Sequence, residues 1–502
     1  MDQIIHILIK DIRRLRWEIA GTLLVTALLA WLNGDNRLLL PVSRQEQQLS
    51  SLLGTLQPLC VGAWWFLLVS LFHVDAIPGV RQFWLTRPYR RSSLLGAKLL
   101  FMVLFLNLPT LAADVLVLWR AGLPLGGLIH ALLWKQVLFT VMLLVPAIGI
   151  AAVTTNIAQT VLGVLALVVL TSLLALISGS GHSLPGGLGW WMVAVQFSTL
   201  SIGGGLLLYW QFFRRKTAWS RALIAAGTSL FVLATSLIPS GAAFSSQRRF
   251  AHQPGVGDRY TIKPAPERGR MGYEPGQVGW QVARIALPVD HVLPAGLEMV
   301  SDGVEVSLTA PDGAGVETLS SSWTESQGKP WVYLSLDRKE FARIRTLALR
   351  VDVKVHATMF GKKQTATMPF GAHHRVLPQF GVCGSQNRNG AEIWCRVAFS
   401  PELWTRVALR DRQTGERSEL NGLTQANYAP FHVDPGISPL NNFVSRFPAT
   451  TFNAAPGVKI WNPRRLGVTE IEFIGMEPLD HVVRTVEFDS LRLEDFEVLE
   501  PL

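Results

Sequence analysis

Seven apolar stretches crowd the first half of the chain, near residues 17–33, 57–75, 97–118, 131–153, 158–178, 188–212 and 219–240. Each has roughly the 17–25 residues that a helix needs to cross a hydrocarbon core. Lipid offers no partner to a backbone amide, so a chain made of such runs folds as helices that satisfy their own backbone. Trp17, Trp31, Trp119, Trp134, Trp190, Trp210 and Trp219 lie near the ends of the stretches, as interfacial aromatics do. A polytopic α-helical membrane domain of about seven spans is therefore expected over residues 17–243.

Charge gives the direction. Residues 1–243 hold 17 Lys and Arg against 7 Asp and Glu, and the rest of the chain holds 29 against 29. The whole excess of +10 belongs to the membrane half. That distribution speaks for membrane orientation and against nucleic acid as a partner. With the N-terminus inside, the inner segments carry 13 basic residues and the short outer loops only Arg37, Arg44 and Arg120. Basic loops stay cytoplasmic, and seven spans then put the C-terminal half outside. The expected location is a bacterial cytoplasmic membrane with an extracytoplasmic C-terminal domain. Residues 1–16 read as an amphipathic helix, with Ile4, Ile5, Leu8, Ile12 and Leu15 on one face, suited to the membrane interface.

The second half changes period. Residues 244–279 are rich in Pro, Gly and Arg and read as a linker. After it come short alternating runs: VGWQVARIAL, GVEVSLTA, KPWVYLSL, TLALRVDVKVHA, EIWCRVAF, TEIEFIG and HVVRTVEF. Alternation of this kind belongs to half-buried antiparallel strands. In Leu349–His356 the apolar positions are Leu349, Val351, Val353 and Val355, and Arg350, Asp352, Lys354 and His356 take the other face. One large or two small β-sandwiches are expected, divided into residues 280–372 and 373–502. Cys383 and Cys395 flank a polar loop with Asn389-Gly390 at its centre, a hairpin signal. A disulfide between them fits an oxidising compartment. Cys60, in an apolar segment, is expected as an inert core residue.

Val80–Lys98, VRQFWLTRPYRRSSLLGAK, joins the second and third apolar stretches. It carries Arg81, Arg87, Arg90, Arg91 and Lys98 and no acid. Pro88 stops any helix entering from Val80, and Ser92 or Ser93 can cap the next one. Trp84, Arg87, Pro88, Arg91, Leu94, Leu95, Ala97 and Lys98 together resemble the coupling elbow of permease subunits in type-2 ATP-binding-cassette exporters. The basic helix Ile7–Trp17 and the polar turn Thr154–Gly163 are similar to that family too. The resemblance covers roughly residues 1–240. It implies two permeases, alike or different, above two cassette ATPase subunits that hold ATP and Mg. In that reading Trp84, Arg87, Pro88, Arg90, Arg91 and Lys98 form the ATPase-coupling loop. Both ends inside and six spans are usual in the family, whereas this chain counts seven and a large outer domain.

Polar residues within the spans are Asp114 and Lys135, expected at matching depth on neighbouring helices, and Gln196, Ser198, Thr199 and Ser201. Such residues face a bundle interior or a cavity. The chain has no G-x-x-x-x-G-K-[ST], no G-x-S-x-G and no H-E-x-x-H. No catalytic residue, metal or directly bound cofactor is expected, and ATP hydrolysis falls to a separate subunit. A membrane-anchored binding or assembly protein is the competing reading. There the β half would grip a polysaccharide or a protein, with Trp323, Trp331, Trp404 and Trp461 as stacking platforms. A polytopic enzyme is the third, without a motif to support it.

Overall fold

The computed structural model describes residues 2–34, 44–74, 90–177, 189–214, 217–237, 248–249, 251–275, 281–316, 318, 320–326, 329–372, 374–387, 390–399, 403–415, 417–419, 439–448 and 469–498. It consists of a helical region followed by an all-β region of three sheets.

Helix α1 (Asp2–Arg14) meets α2 (Arg16–Asn33) at a bend of 77°. One face of α1 buries Ile7, Leu8 and Asp11, while Ile5 and Ile9 are exposed. α3 (Arg44–His73) packs beside α2. α4 (Arg91–Met102) and α5 (Leu108–Arg120) form one continuous helix through a π turn at Val103–Asn107. α6 (Ile129–Leu138) and α7 (Val145–Val153) do the same through Phe139–Leu144. α8 (Ile157–Ile177), α9 (Gly189–Tyr209) and α10 (Thr217–Leu237) complete the region. Both π turns have a proline at their C-terminal end, Pro109 and Pro146. A proline lacks the amide for the usual bond and its ring strikes the carbonyl four residues back. Widening the preceding turn relieves that clash.

Among the described residues three helices are long and apolar enough to span a membrane: Ser51–His73, Ser92–Arg120 and Gly126–Val153. Counting the bent α1–α2 pair as one span makes four. The seven expected spans are thus met only in part. The described apolar part of α8, Ile157–Leu170, is too short to count.

Among the described residues the β region builds three sheets from sixteen strands: β1 (Thr261–Pro264), β2 (Arg270–Pro275), β3 (Gln281–Val292), β4 (Glu298–Thr309), β5 (Gly315–Val316), β6 (Ser320–Ser326), β7 (Lys329–Asp337), β8 (Leu349–Pro369), β9 (Arg375–Leu377), β10 (Gly381–Asn387), β11 (Gly390–Ala398), β12 (Trp404–Asp411), β13 (Arg417–Glu419), β14 (Leu440–Pro448), β15 (Thr469–Leu491) and β16 (Glu497–Val498). The longest sheet has the order β13-β12-β15-β8-β4-β5. The second is β16-β2-β3-β7-β6 with β1 on β3, and the third is β14-β11-β10-β9.

The long pair β8 and β15 serves two cores. Val351, Val353, Val355, Val482 and Val486 pack with Ile285, Leu287, Val332 and Leu334 of the second sheet. Met368, Ile471 and Phe473 pack with Cys383, Ile393 and Cys395 of the third. Two bulges make this possible. β8 carries an extra residue where Gly361 pairs with Glu477 and Gln364 with Gly475, and β15 carries one at Leu479. Each bulge flips which parity faces inward, so both cores lie on one face of the long sheet. The expected runs TEIEFIG and HVVRTVEF are therefore one strand, bent rather than interrupted. The expected division at residues 372 and 373 follows the chain, whereas β15 returns to pair with β8 along both lobes.

The described part of the stretch expected as a linker, residues 248–249 and 251–275, is held by contacts to β15. Buried Asp480 accepts hydrogen bonds from the amides of Gly255 (2.9 Å) and Gly257 (3.0 Å). Arg484 donates to the carbonyls of Tyr260 and Gly257. Side-chain partners from a distant strand replace the apolar periodicity this segment lacks. His356, expected on the solvent face of β8, is buried and lies 3.1 Å from Glu305 Oε1.

The β region packs on one end of the helices. Val382, Phe399 and Leu440 share a core with Val117, Leu118, Ala121, Leu123 and Leu132 around the α5–α6 connection. α1 lies at the other end of the α4–α5 helix, against α4.

Candidate functional site

At the α1 end, the Lys98 ammonium donates to Asp11 Oδ2 at 2.9 Å and to the Leu71 carbonyl at 2.7 Å. Both charged side chains are essentially inaccessible, 0% and 1% exposed. Lys98 therefore ties α1, α3 and α4 together and offers no surface to another subunit. Ile4 of α1 packs over Gly96, and Gln3 accepts the Arg90 amide at 3.3 Å. That contact marks where α4 starts: Arg90 is its N-cap, and Ser92 and Ser93 fall inside the first turn. Arg90 is exposed. Trp84, Arg87 and Pro88 lie outside the described residues, as does the Arg91 side chain. Asp11 was missed in the sequence, yet a signal exists. It is an acid set among Lys10, Arg13 and Arg14, on the same stripe as Ile4, Leu8 and Leu15.

The polar turn after α7 sits close by. The Asn156 side chain accepts the Gln159 amide at 2.8 Å, and Gln159 accepts the Thr155 amide at 3.0 Å. This arrangement is a variant of the capping box that starts α8, with the returning bond made to the residue before the cap. Thr154 reaches His73 at 3.1 Å and Thr160 at 2.8 Å. Arg221 donates to the Val153 carbonyl at 3.0 Å, closing α7.

Within the helices, Lys135 donates to Asp114 Oδ1 at 2.6 Å, and Gln136 reaches Oδ2 at 3.4 Å. α5 and α6 are joined by a short connection, so residues equally far from it stand at the same depth. The pair borders a cavity of about 20 Å³ lined also by Asn33, Trp64 and Thr110, room for a single water. Gln196 and Thr199 line a separate, apolar cleft between α7, α8, α9 and α10. Ser198 is exposed on α9 and does not line it.

In the β region Cys383 and Cys395 are directly paired across β10 and β11 and form a disulfide. The tryptophans offered for sugar stacking are occupied. Trp331 is 3% exposed beneath the Arg270 guanidinium, 4.6 Å from its ring centre. Trp323 stacks on His291, and Trp404 packs against Phe360. Trp461 lies outside the described residues. A polar group that the sequence reading passed over lies on the long sheet. The Thr358 hydroxyl donates to Asp302 at 2.6 Å and sits 2.9 Å from His481 Nδ1. Burial lifts the Asp302 carboxyl to about 7. Burial drives His481 down to about 4, against the pull of Asp480.

Compared with known proteins, the chain matches no family model and no curated sequence.

Proposed function

We propose that the chain is the membrane-spanning subunit of an ATP-driven exporter. It would act with separate cassette ATPase subunits, which hold ATP and Mg, and with a second copy or a paralogue of itself. In this reading seven helices cross a bacterial cytoplasmic membrane. The N-terminus and residues 80–98 face the cytoplasm, and the β region lies outside. The observation that carries it is the Asp11–Lys98 tie. It joins the bent N-terminal helix to the helix that leaves the basic elbow, so a push on either moves both. Buried charge pairs in a membrane protein are costly and mark working parts. Arg90, exposed at the start of α4, remains on the coupling side, while Lys98 becomes an internal brace.

The test is purification of the protein with its cassette ATPase from the native membrane. ATP hydrolysis should rise when the chain is present. Pro88→Gly should uncouple hydrolysis from substrate without loss of insertion. Cysteines placed from Arg87 to Ser93 should crosslink to the ATPase. Normal coupling in Pro88→Gly, with no crosslink at any of these positions, would reduce the loop to an orientation signal and favour an anchored binding protein.

A further inference from the structure

We propose that the cleft between α7, α8, α9 and α10 is a binding site for a single-chain amphiphile with an uncharged, hydrogen-bonding head, such as a long-chain alcohol. The inference needs these helices to lie in lipid but does not depend on an ATPase partner.

The cleft has a volume of about 190 Å³, several times the roughly 30 Å³ share of one water. Its lining includes Val145, Ile150, Leu200, Leu207, Leu223 and Ile224, and among the described residues that line it none is charged. An ionic head would find no counter-charge there. The polar groups are Gln196, Thr199 and Thr228. Thr228 spends its hydroxyl on the Ile224 carbonyl at 2.9 Å. Among the described residues the Gln196 amide and the Thr199 hydroxyl have no partner. An amide without a partner is costly in an apolar medium, and a ligand head with a hydroxyl would satisfy it.

The arrangement along the cleft is directional. On α9, Gln196 lies about two turns and Thr199 about one turn before Gly203 and Gly204, with Leu207 about a further turn on. One end of the cleft therefore offers hydrogen bonds and the other only hydrocarbon, the order of groups in an amphiphile.

Glycines supply the space. A Cβ at Gly204 would collide with Val145, so that glycine serves the packing of α9 on α7. At Gly203 and Gly227 a Cβ would meet nothing within 4 Å. Neither has a positive φ. Glycine weakens a helix relative to alanine, and neither packing nor backbone shape requires it at these two lining positions. Their lack of side chains keeps the cleft open from two sides.

The experiment uses the full chain in phosphatidylcholine nanodiscs and a long-chain alcohol carrying a mid-chain diazirine. After illumination, labelled peptides are read by mass spectrometry. Label should fall on α7, α9 and α10 and be displaced by unlabelled cetyl alcohol. Gly203→Leu and Gly227→Leu fill the cleft from different helices, and each should reduce that label to background. Gly205→Leu, which also meets nothing within 4 Å but does not line the cleft, should leave it unchanged. Gln196→Leu should abolish the advantage of the alcohol over a plain alkane as competitor. Elution profile and melting temperature report whether each variant folds. If one leucine variant misfolds, the other and the competition on the unaltered protein decide. Label spread evenly over α8 residues that do not line the cleft, such as Leu165 and Val169, or label at the cleft that neither leucine variant reduces, would overturn the proposal.

Discussion

Asp11 and Lys98, 87 residues apart in sequence, hold their charged atoms 2.9 Å apart with both side chains buried. Removing either partner breaks a buried ion pair, a change that costs about 3–5 kcal/mol. Asp11→Ala and Lys98→Met should each lower the melting temperature sharply. Asp11→Leu combined with Lys98→Met should recover most of the loss. Thermal unfolding in one detergent checks this, and single variants that melt like the parent would show the pair to be idle.

Asp114 and Lys135 should tolerate exchange better than loss. Asp114→Lys alone brings two cations together beneath the β region and should cut the folded yield. Asp114→Lys with Lys135→Asp restores the attraction and should restore the yield, as seen by size-exclusion profile. Equal yields for single and double exchanges would mean that the two sites do not feel each other.

The Cys383–Cys395 bond closes a short loop inside the third sheet, with a sequence separation of 12. Loop-entropy arguments assign such a cross-link about 3 kcal/mol. Replacing both cysteines by alanine should lower denaturant resistance of the β region by that order, followed by tryptophan fluorescence. An unchanged midpoint would place its contribution in the unfolded chain at zero.

Two groups on the long sheet work against each other as pH changes. The folded Asp302, raised from 3.8 to about 7, keeps a proton that the unfolded chain releases, so its contribution to stability falls as pH rises through that window. The folded His481, lowered from 6.5 to about 4, lacks a proton that the unfolded chain binds, so its contribution grows as pH rises between those values. Thr358 bridges the two, and Asp480, Glu305 and His356 flank them. Asp302→Asn should make stability climb with pH across the His481 window. His481→Gln should make it decline across the Asp302 window. Melting curves at stepped pH decide, and parallel profiles in both variants would refute the pairing.

Orientation has its own measurement. A periplasm-dependent phosphatase fused after the last residue should be active, and a cytoplasm-dependent reporter at the same point silent. The reverse result would put the β region in the cytoplasm and leave an even number of crossings.

Local pattern carried most of the architecture. Alternation marked β7 and the first part of β8 because there one face is the more deeply buried, whereas β3 and β11 bury consecutive residues on both faces; the hairpin cysteines face each other because a register repeats every two residues. Asp114 and Lys135 were legible because a short connection equalises depth. The β8–β15 partnership was not, since its register depends on bulges at Lys362 and Leu479 that repay themselves only through contacts more than a hundred residues away. Pro478, which looks like a break, sits at the second bulge, where an unpaired amide costs nothing. Asp11 escaped notice because its partner lies in another helix. In the cleft between α7 and α10, Gly203 carries no sequence signal of its own, since only the neighbouring helices turn an absent side chain into space.

Because β15 returns to β8 and β16 closes on β2, the lobe holding β9 to β14 is an insertion between two strands of the first lobe. Such a lobe can be lengthened, swapped or lost between relatives while β2 and β16 stay side by side. A cut after residue 372 would take the long sheet apart. A graft that rejoins β8 to β15 with a short turn is the excision the topology allows.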